Sequence, residues 1–99
     1  MTTDSDTVRD HLVRTFMTDG ALLRLPARFA KRAVLLEVVA EQFEPGRRYQ
    51  EREVDAVLTA VTDAGESDHV TVRRYLVDHG LLAREGGVYW RTGGWVAGT

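Results

Sequence analysis

Residues Asp68–Trp90 read "DHVTVRRYLVDHGLLAREGGVYW", and the change of period within this stretch decides the fold. From His69 to His79 the spacing is helical: Val72, Tyr75, Leu76 and His79 gather on one side, and Val70, Arg73, Arg74 and Val77 on the other. Ser67 or Asp68 stands where a helix N-cap is expected, and Gly80 stops the helix. The period then drops to two. "LLARE" and "VYWR" flank Gly86-Gly87, and two glycines suit a tight hairpin whose turn positions require positive φ. Tyr89 and Trp90 are neighbours in a strand, so one faces the core and the other faces away.

Upstream, "QEREVDAVLTAVTDAG" is a second helical segment, with Val54, Val57, Leu58 and Val61 facing inward. Glu51 and Glu53 lie in its first turn, where the helix dipole favours negative charge. "RRY" (Arg47–Tyr49) before it is a short extended piece. "ARFAKRAVLLEVVAEQF" (Ala27–Phe43) is the longest helical signal. Phe29, Ala33, Leu36, Ala40 and Phe43 form its stripe, and Val34, Leu35, Val38 and Val39 widen that stripe nearly all round. A helix so apolar needs cover on more than one side. The segment "TVRDHLVRTFM" from Thr7 supplies it, with Val8, Leu12, Val13 and Phe16 at helical spacing. "TDG" is expected to stop that first helix, with Gly20 at its C-cap, and "ALLRLP" to continue as an extended connector into Pro26.

From Ala27 the order is helix, short strand, helix, helix, strand, turn, strand, which is the order of a winged helix-turn-helix. The expected fold class is therefore α+β: a mostly helical winged-helix-like domain with a small antiparallel wing and an extra N-terminal helix. Residues 1–6 are expected to be disordered, 7–92 to form one domain, and the glycine-rich 93–99 a flexible tail. A chain of 99 residues has room for one small core. Its 43% apolar and 28% charged content is that of a soluble globular protein.

Composition narrows the function. The chain has no cysteine, which excludes disulfides and thiolate chemistry. "MTTDSDTVRD" is acidic and unlike a signal peptide, and no apolar run approaches the roughly 18 residues of a membrane helix, so a cytoplasmic location is expected. No metal and no cofactor are expected, because His11, His69 and His79 are far apart and no carboxylates are spaced with them for zinc. No enzyme signal stands out: there is no glycine-rich phosphate loop before a helix, and Glu51 and Glu53 point apart on theirs. The net charge of −2 argues against a generally basic nucleic-acid binder, so any such binding must come from a local patch.

The candidate patch is Arg73 and Arg74 on the third helix, with Arg84 and Arg91 on the wing and Arg47 and Arg48 as backbone holders. In a recognition helix the arginines would meet phosphates or guanine edges. Two other readings stay open. Val70 and Val77 frame the arginines and suit a protein contact or dimer seam, and Arg74 could pair with Asp78 at i, i+4 on a solvated face. Arg28, Lys31 and Arg32 either flank a phosphate path or form an ordinary solvated face. DNA and a protein partner are both expected as possible partners, with no membrane.

Taken together, the residues Phe16, Asp19, Gly20, Pro26, Lys31, Arg32, Phe43, Gly46, Tyr49, Glu51, Glu53, Val54, Leu58, Asp68, Arg73, Arg74, Leu76, Gly80, Arg84, Gly87, Tyr89 and Trp90 resemble a prokaryotic family, the domain of unknown function 2087, over about residues 16–91. The resemblance implies a module that occurs alone or fused to DNA-binding regulators. It also implies that Arg73 or Arg74 pairs with Asp68, Asp19 or Glu53 to tie the third helix to its neighbours. Asp55 departs from the family pattern, which favours Asn there, as does Val72, where it favours Leu.

Overall fold

The computed structural model describes residues 4–92, so residues 1–3 and the tail at 93–99 lie outside the described residues. Nine elements follow one another: α1 (Asp4–Phe16), β1 (Met17–Thr18), β2 (Ala21–Leu22), α2 (Phe29–Ala40), β3 (Arg48–Gln50), α3 (Glu51–Thr62), α4 (His69–Asp78), β4 (Leu82–Glu85) and β5 (Val88–Arg91). From α2 onward this is the winged-helix order read from the sequence, with α1 as the additional helix. The first helix begins at Asp4 rather than Thr7, so residues 4–6, expected to be disordered, belong to it.

The core is one cluster. Leu12 and Phe16 of α1 pack with Leu35, Leu36 and Val39 of α2, Val54 and Leu58 of α3, and Val72 and Leu76 of α4. Leu35 and Leu36 are adjacent in sequence and both fully buried, which confirms that α2 is covered on more than one side. Burying each contributes about 1.5–3 kcal/mol, and Leu36→Ala would forfeit that and leave a cavity in the core. α4 commits only Val72 and Leu76 to full burial, one turn apart, which leaves most of its circumference for other tasks.

Two stretches depart from expectation. Met17–Thr18 and Ala21–Leu22 pair antiparallel, so "TDG" is not a helix stop followed by a connector but a hairpin turn. Asp19 and Gly20 both have positive φ (49° and 80°), the geometry of a two-residue type I′ loop. Phe29, expected in the buried stripe, is 64% exposed. It stands at the first residue of α2, where its ring stacks on His79 with centroids 4.3 Å apart and an interplanar angle of 15°.

The wing forms as the Gly-Gly signal requires. Gly86 and Gly87 take φ of 59° and 81°, and β4 and β5 pair from Leu82 opposite Arg91 to Glu85 opposite Val88. β3 adds to the other edge of β5, giving the order β3-β5-β4. Tyr89 is the inward residue of its pair and is buried. α4 ends in a Schellman motif: Gly80 N–H donates to Val77 C=O (2.9 Å) and Leu81 N–H to Leu76 C=O (2.8 Å). That geometry turns the chain directly from α4 into β4, so the wing lies beside the helix.

The turn between α3 and α4 is fixed from outside. Glu66 N–H donates to Leu23 C=O at 2.7 Å, just after β2. Gly65 passes so close that an added Cβ would lie 2.2 Å from the Leu22 oxygen and 2.5 Å from the Leu23 oxygen. The N-terminal hairpin thus sets where α4 begins.

Candidate functional site

The face of α4 toward the wing carries Val70, Arg73, Arg74 and Val77, as its spacing implies. Across from it stand Arg84 and Tyr89, which are register partners on β4 and β5 and therefore share one face of the sheet. Together these residues and Asp78 line a cleft of about 260 Å³. A second hollow of about 290 Å³ runs on along the wing, bounded by Glu51, Gly86 and Gly87, and shares Arg84 and Tyr89 with the first.

Arg73 is held. Its Nη1 donates to Asp55 Oδ1 on α3, and only 17% of the arginine side chain and 31% of the aspartate are exposed. Burial lowers the Arg73 pKa, but the hydrogen bond and charge of Asp55 outweigh that and leave it raised. The carboxylate is thus neither Asp68, Asp19 nor Glu53, the partners that the resemblance suggested. Asp55 and Glu51 lie one turn apart on α3, and that face meets α4 and the wing.

Arg74 points outward. It is exposed and makes no ion pair or hydrogen bond among the described residues, so the expected pairing with Asp78 is not formed. Arg84 is exposed as well. Its Nη1 lies 3.4 Å from the Tyr89 hydroxyl, a long hydrogen bond, while that hydroxyl donates to Glu51 Oε1 at 2.8 Å. The hydrogen bond to Tyr89 raises the Arg84 pKa, helped by Glu51 and opposed by Arg73. Glu51 thus acts on Arg84 by its charge and also accepts from the tyrosine that Arg84 meets.

The other candidates do not join this cleft. Arg91 shares its face with buried Leu82 and donates from Nη1 to the Phe43 carbonyl at 3.1 Å, tying the wing to the end of the α2 turn. Arg47 reaches Glu53 at 3.5 Å and lies 4.7 Å from the Tyr49 ring centroid. Arg48 lies 4.7 Å over the Trp90 ring, and its register with Trp90 and Ala83 puts it on the opposite face of the sheet from Arg84. Val70 and Val77 are both half-buried as cleft walls, and Val77 packs on the core. Tyr89, Glu51 and Asp55 were missed as site residues, although the i, i+4 spacing of Glu51 and Asp55 was visible.

Three guanidinium groups line one cleft on a chain of net charge −2, with Asp78 in the same lining and Asp55 and Glu51 beside it. No group of His, Asp or Glu among the described residues could hold a metal ion, and no described helix is long and apolar enough to cross a membrane. Helix, strand, two helices and a wing, with the third helix beside the hairpin, define a winged-helix-like α+β domain. More particularly, the chain belongs to the family described as uncharacterized protein conserved in bacteria (DUF2087), whose model matches residues 21–91. The match leaves out α1 and β1. Neither the curated proteins nor the solved structures gave a match.

Proposed function

We propose that this domain binds DNA as a winged helix, with α4 and the wing meeting the duplex and Arg74 and Arg84 neutralising backbone phosphates. One observation carries the reading: Arg74 and Arg84 flank one cleft from two elements, and neither is in an ion pair among the described residues. Of the nearby carboxylates, Asp55 is engaged by Arg73 and Glu51 by Tyr89, which leaves Asp78 as the one carboxylate in the cleft lining. Binding of this kind is led by phosphates and depends strongly on salt. Arg73 supports it from behind, as a charge within the cleft wall. A protein contact or dimer seam through Val70 and Val77 has less to stand on, because both are half-buried rather than displayed.

The test is fluorescence anisotropy of labelled genomic fragments across a salt series. Replacing Arg74 and Arg84 with Ala is expected to weaken binding and flatten the log K–log salt slope by about 2. Absence of binding by the unaltered protein at low salt would sink the proposal.

A further inference from the structure

We infer that the cleft between α4 and the wing seats a single phosphate group, gripped by Arg73, Arg74 and Arg84, and that Asp55, outside the cleft lining, competes with it for Arg73. This deepens the DNA reading, in which the seated group is a backbone phosphate; the same chemistry also fits the phosphate of a small phosphorylated molecule.

The donor capacity of the cleft is largely unused. Each guanidinium carries five N–H donors in a planar fork. The Arg73 contact to Asp55 uses Nη1, Arg84 makes only the long bond to Tyr89, and Arg74 has no partner among the described residues. Among the lining residues Asp78 is the sole carboxylate against three arginines. A carboxylate ligand offers two oxygens in one plane and one charge. A phosphate offers tetrahedrally placed oxygens that can meet forks arriving from two helix positions and a strand, and a phosphate monoester brings a second charge.

Size points the same way. A volume of about 260 Å³ falls just short of the roughly 300–1,000 Å³ of pockets for drug-sized ligands. It admits a phosphate with a sugar-sized neighbour, for which Val70 and Val77 give an apolar wall. Glu51 accepts from the Tyr89 hydroxyl that Arg84 meets and lies outside the cleft lining.

The experiment titrates the isotope-labelled full chain with inorganic phosphate at constant ionic strength and follows the arginine Nε–Hε resonances by NMR, beside duplex anisotropy with and without phosphate. Saturable shifts confined to Arg73, Arg74 and Arg84 are expected, with Arg48 unmoved. Arg74→Gln and Arg84→Gln, both at exposed positions, should each weaken phosphate binding about tenfold or more, the worth of a charge-assisted hydrogen bond. Tyr89→Phe should shift the free Arg84 resonance and weaken phosphate binding several-fold. Unsaturable shifts spread equally over Arg47, Arg48, Arg74 and Arg84 would overturn the seat. So would DNA binding that phosphate does not compete with, although the DNA reading would then survive. Phosphate binding without duplex binding would support the seat and overturn the DNA reading, and a sugar phosphate in the same titration would identify the source as a small molecule.

Discussion

Replacing Asp55 with Asn separates two roles that the ion pair to Arg73 combines, because stability and anion affinity should move in opposite directions. The pair is neither exposed nor fully buried, with 17% and 31% of the two side chains accessible. Exposed pairs contribute about 0.2–1 kcal/mol, and breaking a buried pair costs about 3–5 kcal/mol. Asn keeps the shape and one acceptor oxygen but loses the charge, which places the cost at about 1–2 kcal/mol between those limits. For a domain of this size that lowers the Tm by roughly 4–16 °C. The same substitution removes a negative charge beside the cleft and releases Arg73, so phosphate should bind more tightly and the DNA salt slope should steepen by about 1. Thermal melts by circular dichroism at neutral pH, with the phosphate titration repeated on the variant, read both effects. A cycle with Arg73→Gln isolates the pair, with an expected coupling of about 1–2 kcal/mol. A coupling of zero would refute the structural premise. A fall in phosphate affinity beside the fall in Tm would show that Asp55 holds Arg73 in its binding position instead of competing for it.

Gly65→Ala should force the α3–α4 turn away from β2, because its Cβ would sit 2.2 Å from one backbone oxygen and 2.5 Å from the next. Overpacking and loss of the Glu66–Leu23 hydrogen bond together predict a destabilisation of about 2–4 kcal/mol, read as a lower urea midpoint with an unchanged m-value. His79 gives a pH dependence. Burial and then Arg32 push its pKa below the ordinary value of 6.5, against a smaller opposing effect of Asp78, and Arg32 Nε donates to its Nε2 at 3.3 Å. The unfolded chain then takes up the proton first, so this contribution is present above pH 6.5 and is lost as pH falls through the lowered folded value. His79→Gln should flatten that part of the stability–pH curve, and an identical slope in both proteins would count against it.

What could be read in advance depended on whether the deciding contact was local. α4 and the wing were legible because Val72 and Leu76 repeat one turn apart and Gly80, Gly86 and Gly87 mark the sites of positive φ. The first hairpin was not. Asp19-Gly20 suits both a helix C-cap and a type I′ turn, since both require positive φ. The contact that adds to the local ladder is distant: the α3–α4 turn docks on Leu22 and Leu23, with Glu66 N–H donating to the Leu23 carbonyl. Arg73 illustrates the same limit. Its partner lies eighteen residues away on another helix, where no periodicity within α4 can point. Arg91 shows the same limit: it shares a sheet face with exposed Arg84, and what separates the two is the reach of Arg91 to the Phe43 carbonyl, 48 residues away.

The surroundings of α4 also limit what kind of DNA binding the proposal can mean. Val72 and Leu76 are buried in the core. Tyr75 and His79 turn toward α2, where Arg32 lies 4.5 Å over the tyrosine ring and Phe29 covers the histidine. Val70, Arg73 and Val77 are half-buried on the wing and α3 side, and what remains exposed from Thr71 to the last residue of the helix is Thr71, Arg74 and Asp78. A bidentate arginine contact discriminates one base by about 1–3 kcal/mol, and here one arginine is displayed beside a carboxylate that repels the backbone. Most of the contact energy in this reading therefore comes from phosphates along the cleft, and selectivity from the shape and deformability of the duplex more than from its base edges.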